Sequence, residues 1–172
     1  MTPPAPLDLT LVDPADFTIH GFDDEVRIDE LCARLLLAVR DELLASGEMT
    51  PLEAGALCSG ADYFLREFVI AGCGDNLFQL PVERVRQFAG HWYIVRTLEP
   101  NAAELSAILA GVAACYRVLA GHGLVTEALA EAIGQACTDL PWYRQRIETF
   151  WAIAGDGFEA WRAICPLPER KA

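Results

Sequence analysis

The sequence predicts an all-α protein, a compact bundle of six or seven helices preceded by an extended amino-terminal arm. Three observations carry this expectation. After residue 22, apolar residues recur at i, i+3, i+4 and i+7, the spacing of one helix face. Capping residues and glycines punctuate those stretches at helix-length intervals. The one alternating run, Leu7, Leu9 and Leu11, is isolated and cannot make a sheet alone. With 172 residues the chain fits one domain. A chain of that size buries roughly 70% of its unfolded surface without disulfide or metal staples. The expected organisation is an arm over 1–22, a helical domain over 23–166 and a short tail over 167–172.

In the arm, Pro3, Pro4, Pro6 and Pro14 oppose helix. The alternating leucines suggest a strand-like piece lying across the body. The first helix is expected from about Asp24 to Ser46, capped by Asp23 or Asp24, with Ile28, Leu31, Cys32, Leu35, Val39 and Leu43 as its main stripe. Leu37 and Leu44 form a second stripe, so this helix should be contacted on two sides. Thr50-Pro51-Leu52-Glu53 is a capping box with proline at the first helical position. The helix it starts should reach about Ala71, stopped by Gly72 and Gly74.

A third helix is expected from Pro81 to about Arg96, burying Val85, Phe88, Trp92 and Val95. The fourth, about Asn101 to Ala120, has the clearest apolar face: Leu105, Ile108, Leu109, Val112, Tyr116 and Leu119. Gly121-His122-Gly123 ends it. Three shorter helices follow, near 126–136, 141–154 and 157–164, with Thr126, Asp139 and Asp156 as their caps. Six of the 16 aromatic residues fall between Trp142 and Trp161, so this end should pack tightly onto the bundle.

Composition narrows the functional classes. The net charge is −12, and residues 1–60 hold 12 acids against 3 arginines. Nucleic-acid binding rests on Lys and Arg neutralising phosphates, so an acidic chain with a single lysine is disfavoured for it. An acidic face that meets a basic protein partner is one reading of the asymmetry; solubility is the other. The most apolar run, Leu105 to Tyr116, is 12 residues long, against about 20 for a membrane span, so no span is expected. Met1 to Val12 contains no basic residue and does not read as a secretory signal. The six cysteines contain no Cys-x-x-Cys pair and mostly fall on apolar helical positions. They are therefore expected as reduced core thiols in a cytoplasmic protein.

Catalytic vocabulary is sparse. None of the three histidines belongs to a Glu-x-x-His or His-Glu-x-x-His pattern, and no metal or cofactor is expected. His20 with Asp23 and Asp24 is the only local group with ligand chemistry, and capping accounts for the aspartates. A Cys115–His122 pair would need assembly in space, and the glycines around His122 mark it as a helix-end residue. Gly72-Cys73-Gly74 follows a helix, not a strand, and reads as a stop and turn. Arg84, Arg86, Gln87 and His91 are assigned to the polar side of the third helix. With Arg96 and Arg117 they form the densest basic group in the middle of the chain. His91 and His122 are the polar groups expected if a pocket opens between helices.

Between about Asp62 and Val125 the chain resembles the SAM-like core-binding domain of tyrosine recombinases and phage integrases. The residues are Tyr63-Phe64-Leu65-Arg66-Glu67-Phe68, then Val82 to Tyr93, then Thr97. Leu105 to Leu119 follow, with Cys115-Tyr116-Arg117-Val118-Leu119, then Gly123-Leu124-Val125. The resemblance covers some 64 of 172 residues. It implies a DNA-clamping module with Arg84, Arg86, Arg96 and Arg117 as the contacts. Glu104 stands where the family tends to be basic, and Thr126-Glu127 replaces its Asn-Pro. The 47 residues after Val125 are too few for the family's catalytic domain. The reading preferred from the residues alone is a non-enzymatic interaction or regulatory protein, bound to itself or to another protein. Alternatives are the DNA-associated module and a helical bundle that binds or transforms a small ligand.

Overall fold

The computed structural model describes residues 4–170. The first three residues of the expected arm and the last two of the tail lie outside the described residues. The described chain is helical, with no strand. Seven helices follow the arm: α1 (Phe22–Ala45), α2 (Pro51–Asp62, continued by a π-helical stretch Tyr63–Cys73), and α3 (Glu83–Gln87, a π-helical turn Phe88–Trp92, then Tyr93–Arg96). Then come α4 (Ala102–Gly121), α5 (Glu127–Cys137), α6 (Leu140–Trp151) and α7 (Phe158–Ile164). Short 3₁₀ turns lie at Pro14–Phe17 and Leu77–Gln79.

α4 is the axis of the bundle. Its predicted face is buried in full, and α1, α2, α5 and α6 pack around it. By length and composition α4 could cross a membrane, and half of that span is buried inside the bundle. The expectation of no such segment counted only its unbroken apolar run. Glu104 and Arg117 interrupt the run without making the 20-residue helix polar enough to fail. α2 crosses α4 at backbone contact. A Cβ on Gly60 would lie 2.8 Å from Ile108 Cα, and one on Gly111 would lie 2.1 Å from Leu57 O.

Helix starts follow the capping chemistry where a side chain is free to cap. Thr50 and Glu53 form both bonds of the capping box, Asn101 caps α4, and Thr126 caps α5. Three expectations are corrected. Gly21, not Asp23 or Asp24, precedes α1, and Asp24 instead accepts from the His20 N–H at 3.0 Å. Asp139 sits at the start of α6 but its carboxylate is taken by Arg86. Gly157, not Asp156, precedes α7.

The arm is not strand-like. Asp13 caps the turn Pro14–Phe17, which folds Leu9 and Phe17 into the core and leaves Leu11 79% exposed. The arm follows α1, with Leu7 N–H donating to Arg34 O and Arg34 Nε donating to Ala5 O.

The π-helical stretches are the main feature that periodicity did not reveal. They face each other and interleave an aromatic cluster. Phe88 stacks on Trp92 and meets Phe64 edge-on at 5.1 Å, while Phe68 and Tyr63 contact both rings. A wider turn advances each residue by a smaller angle, so residues after it rotate off the α-helical phase. Val95, expected inside, is therefore 45% exposed, while His91, expected on a polar side, is turned into the interior. Gly72 lies within the first π stretch, and Gly74, at φ +68°, ends it in the left-handed region that favours glycine.

Candidate functional site

The basic residues singled out in the sequence are dispersed. Arg84 is nearly buried, with Nε donating to Asp75 at 2.6 Å and Nη1 to Gln87. Arg86 pairs with Asp139 and lies 4.0 Å over the Trp142 ring. Arg96 rests over Trp92 at 5.0 Å and is otherwise exposed. Arg117 stands exposed beside a groove of about 770 Å³ between α4 and α5, whose other rim carries Glu127 and Glu131. Two of the four are thus neutralised by carboxylates.

The two histidines are also apart. His122 closes α4 with Nε2 3.5 Å from Glu42 of α1. Cys115 is fully buried, and burial pushes its thiol up to about 12, so it is no nucleophile at neutral pH. All six cysteines are free. Among the described residues no three His, Cys, Asp or Glu side chains converge on a metal position.

His91 belongs to an assembly that fastens the carboxy-terminal helices to α3. The π turn Phe88–Trp92 places Gly90 against Trp142, where a Cβ would come within 2.5 Å of the indole. Arg146 of α6 is only 3% exposed, and its Nε and Nη2 donate to the carbonyls of Gly90 and Trp161, both at 2.9 Å. Its guanidinium lies 3.8 Å over the Trp161 ring, whose Nε1–H donates back to Arg146 O. No carboxylate pairs with Arg146 among the described residues; carbonyl dipoles and an indole face hold the charge. Burial lowers its pKa, the expected direction for a cation taken from water.

Beside it, His91 Nδ1 lies 2.6 Å from the Cys165 carbonyl, and its ring meets Trp161 edge-on at 5.2 Å. A carbonyl only accepts, so Nδ1 carries the proton and Nε2 is the lone-pair nitrogen of the neutral ring. Burial is the main cause that lowers the His91 pKa; the Cys165 carbonyl opposes it, and Arg146 and Arg162 add to it. The imidazole lines a cavity of about 420 Å³ with Phe158, Glu159, Arg162, Pro166 and Leu167. His91 was named from the sequence. Arg146 was not, although the aromatic density from Trp142 to Trp161 marked its surroundings.

A second feature lies on the opposite end of the sequence. Phe22 and Val26 sit one turn apart on α1, 76% and 50% exposed, with Leu11 exposed on the arm. Asp8, Asp13 and Asp16 on the arm and Asp23 and Glu30 on α1 are exposed as well. The three arginines of this region are committed elsewhere: Arg27 to Asp24 and Asp16 O, Arg34 to Ala5 O, and Arg40 to Asp41. None of those five carboxylates forms an ion pair among the described residues, although His122 is close enough to Asp8 to favour its charged form. Hydrogen bonds from Thr10 hold Asp8 below the usual carboxylate range, and the face is anionic at neutral pH.

Compared with known proteins, the chain matches no family model, no curated protein and no solved structure.

Proposed function

We propose that this protein is a non-enzymatic interaction module that docks a basic, amphipathic segment of a partner protein on the face formed by the arm and the first turns of α1. The observation that carries this reading is Phe22 and Val26 standing exposed one turn apart on an acidic helix start, where Asp24 and Glu25 pair with Arg27 and Arg170 while Asp23 and Glu30 form no ion pair among the described residues. An apolar centre with a charged rim is the composition of a helix-docking surface. Its charge selects against acidic partners and steers basic ones. The local excess of 12 acids over 3 arginines in residues 1–60 gives the steering its range.

A DNA-clamping role draws less support, because Arg84 and Arg86 are held by Asp75 and Asp139. Catalysis draws less as well: the cysteines whose pKa is shifted are shifted upward, away from reactivity.

The test uses the full chain and two synthetic helical peptides of equal apolar content, one leucine–lysine and one leucine–glutamate, followed by calorimetry and by backbone amide shifts. The lysine peptide should bind and move the amides of residues 8–30, and binding should weaken at least tenfold in F22S/V26S and in 0.5 M salt. Equal binding of the glutamate peptide, or unchanged affinity in the double variant, would remove the reading.

A further inference from the structure

We propose that the cavity between α3 and α7 is a binding site for a small apolar monocarboxylate that also carries a hydroxyl or ring N–H donor. The argument is independent of the α1 face and begins with His91. This side chain is 6% exposed and lines the cavity. Its Nδ1–H is committed to the Cys165 carbonyl at 2.6 Å. The bond fixes the tautomer, so Nε2 is an acceptor with no protein donor among the described residues. Nε2 is not among the sealed polar atoms of the structure, so a hydroxyl or N–H of a ligand in the cavity would donate to it in place of water.

The carboxylate requirement follows from the local charge. Arg162 lines the same cavity, and among the described residues its one ion-pair contact is through Nε, to Glu159 at 2.6 Å. Its terminal nitrogens remain open to a second acceptor, and a guanidinium holds a carboxylate by two parallel bonds. Arg146, close enough to His91 to disfavour its protonation, is a cation with no carboxylate partner among the described residues. Arg146 is not part of the lining, so Arg162 is the cation that a ligand carboxylate would meet there, with Glu159 as the neighbouring anion. Glu159 selects against dianions.

The apolar requirement follows from the remaining walls: Phe158, Pro166, Leu167 and the methyl of Ala163. A cavity of about 420 Å³ is within the range of small-molecule sites. A single aromatic or branched aliphatic body fits that volume with one polar group at each end.

The probe is 4-hydroxyphenylacetate, with phenylacetate (no donor) and 4-methylphenol (no carboxylate) as controls. Titration is followed by the imidazole nitrogen shifts of His91 and by the amides of residues 158–167. The expected result is saturable binding with Kd below about 1 mM, typical of a ligand of this size. Each control should bind at least fivefold more weakly, and the His91 Nε2 resonance should move with the probe but not with phenylacetate. Arg162 is exposed and its loss should leave the fold intact, so R162Q should weaken the probe at least threefold and leave 4-methylphenol unchanged. Equal binding of probe and phenylacetate, an unmoved Nε2 resonance at saturation, or no binding at 10 mM would overturn the site.

Discussion

The imidazole Nδ1 of His91 lies 2.6 Å from the carbonyl oxygen of Cys165, 74 residues later in the chain. This one contact joins the π turn of α3 to the end of α7. Nδ1 keeps its proton in the neutral and the cationic ring alike, so the pH response is decided at Nε2. Burial, Arg146 and Arg162 all disfavour a second proton there, and the pKa is lowered. The unfolded chain takes the proton near the ordinary value of about 6.5, before the folded chain does. The stability from neutral His91 is therefore complete above about pH 6.5 and is lost as pH falls toward the lower folded pKa. Urea unfolding at pH 7.5 and 5.5 should show lower stability at 5.5. H91Q should remove most of that difference; an equal pH slope in the variant would show that another group is responsible.

The crossing of α2 and α4 predicts a sharper effect. A Cβ on Gly111 would stand 2.1 Å from Leu57 O, an unyielding backbone atom. G111A should therefore destabilise by at least about 2 kcal/mol, the upper part of the usual overpacking range. For a domain of this size that lowers Tm by roughly 4–8 °C. Gly134 on α5 is the internal control, because nothing lies within 4 Å of its added Cβ. G134A should stabilise by about 0.5–1 kcal/mol, since alanine restricts the unfolded chain and favours helix. Thermal melts of the two variants should move in opposite directions.

How much of this was legible beforehand depends on whether one side chain had one job. The face of α4 was readable because six apolar residues at helical spacing have no other use. The Thr50–Glu53 box was readable because its two bonds are local. Asp139 looked like a cap, but Arg86, 53 residues away, claims its carboxylate. The phase of α3 after Gln87 was hidden, because a π turn inserts no marker residue and shifts every later side chain. That shift explains both Val95 outside and His91 inside. Arg146 escaped notice because a lone arginine in an amphipathic segment reads as surface, and only the fold brings Gly90 O and Trp161 O to it. The face around Phe22 was legible in charge but not in shape, since Gly21 rather than an aspartate starts α1.

The cysteines give a chemical check on the core. Five are buried, and Cys58 is half-buried with its thiol near the Leu36 carbonyl. Burial raises the thiol pKa of Cys58 and pushes Cys137, like Cys115, up to about 12. In the native protein at pH 8, a thiol-specific chromogenic reagent should modify at most one thiol within minutes, at Cys58. All six should react once guanidinium is added. Rapid native labelling of Cys115 or Cys137, mapped by peptide mass, would mean that the α4–α5 packing opens readily.

Arg146 supplies the most discriminating substitution. Its guanidinium reaches two carbonyls at once and stacks on Trp161. Lysine keeps the charge but is a compact, strongly hydrated cation that cannot span both acceptors while lying flat on the indole. R146K should thus leave one carbonyl short of a donor and cost about 1–3 kcal/mol. R146M removes the buried charge, keeps much of the volume and forfeits both hydrogen bonds. If desolvation of the cation dominates, R146M will be no less stable than R146K, as happens when buried ions are replaced by apolar groups. If the two carbonyl bonds dominate, R146M will be the weaker. Direct hydrogen bonds at 2.9 Å to two carbonyls, with a ring face at 3.8 Å, compensate the charge well, so R146M should fall below R146K in urea midpoint. In both variants tryptophan fluorescence should shift, since Trp161 loses the guanidinium stacked on its ring and Trp142 loses a nearby one.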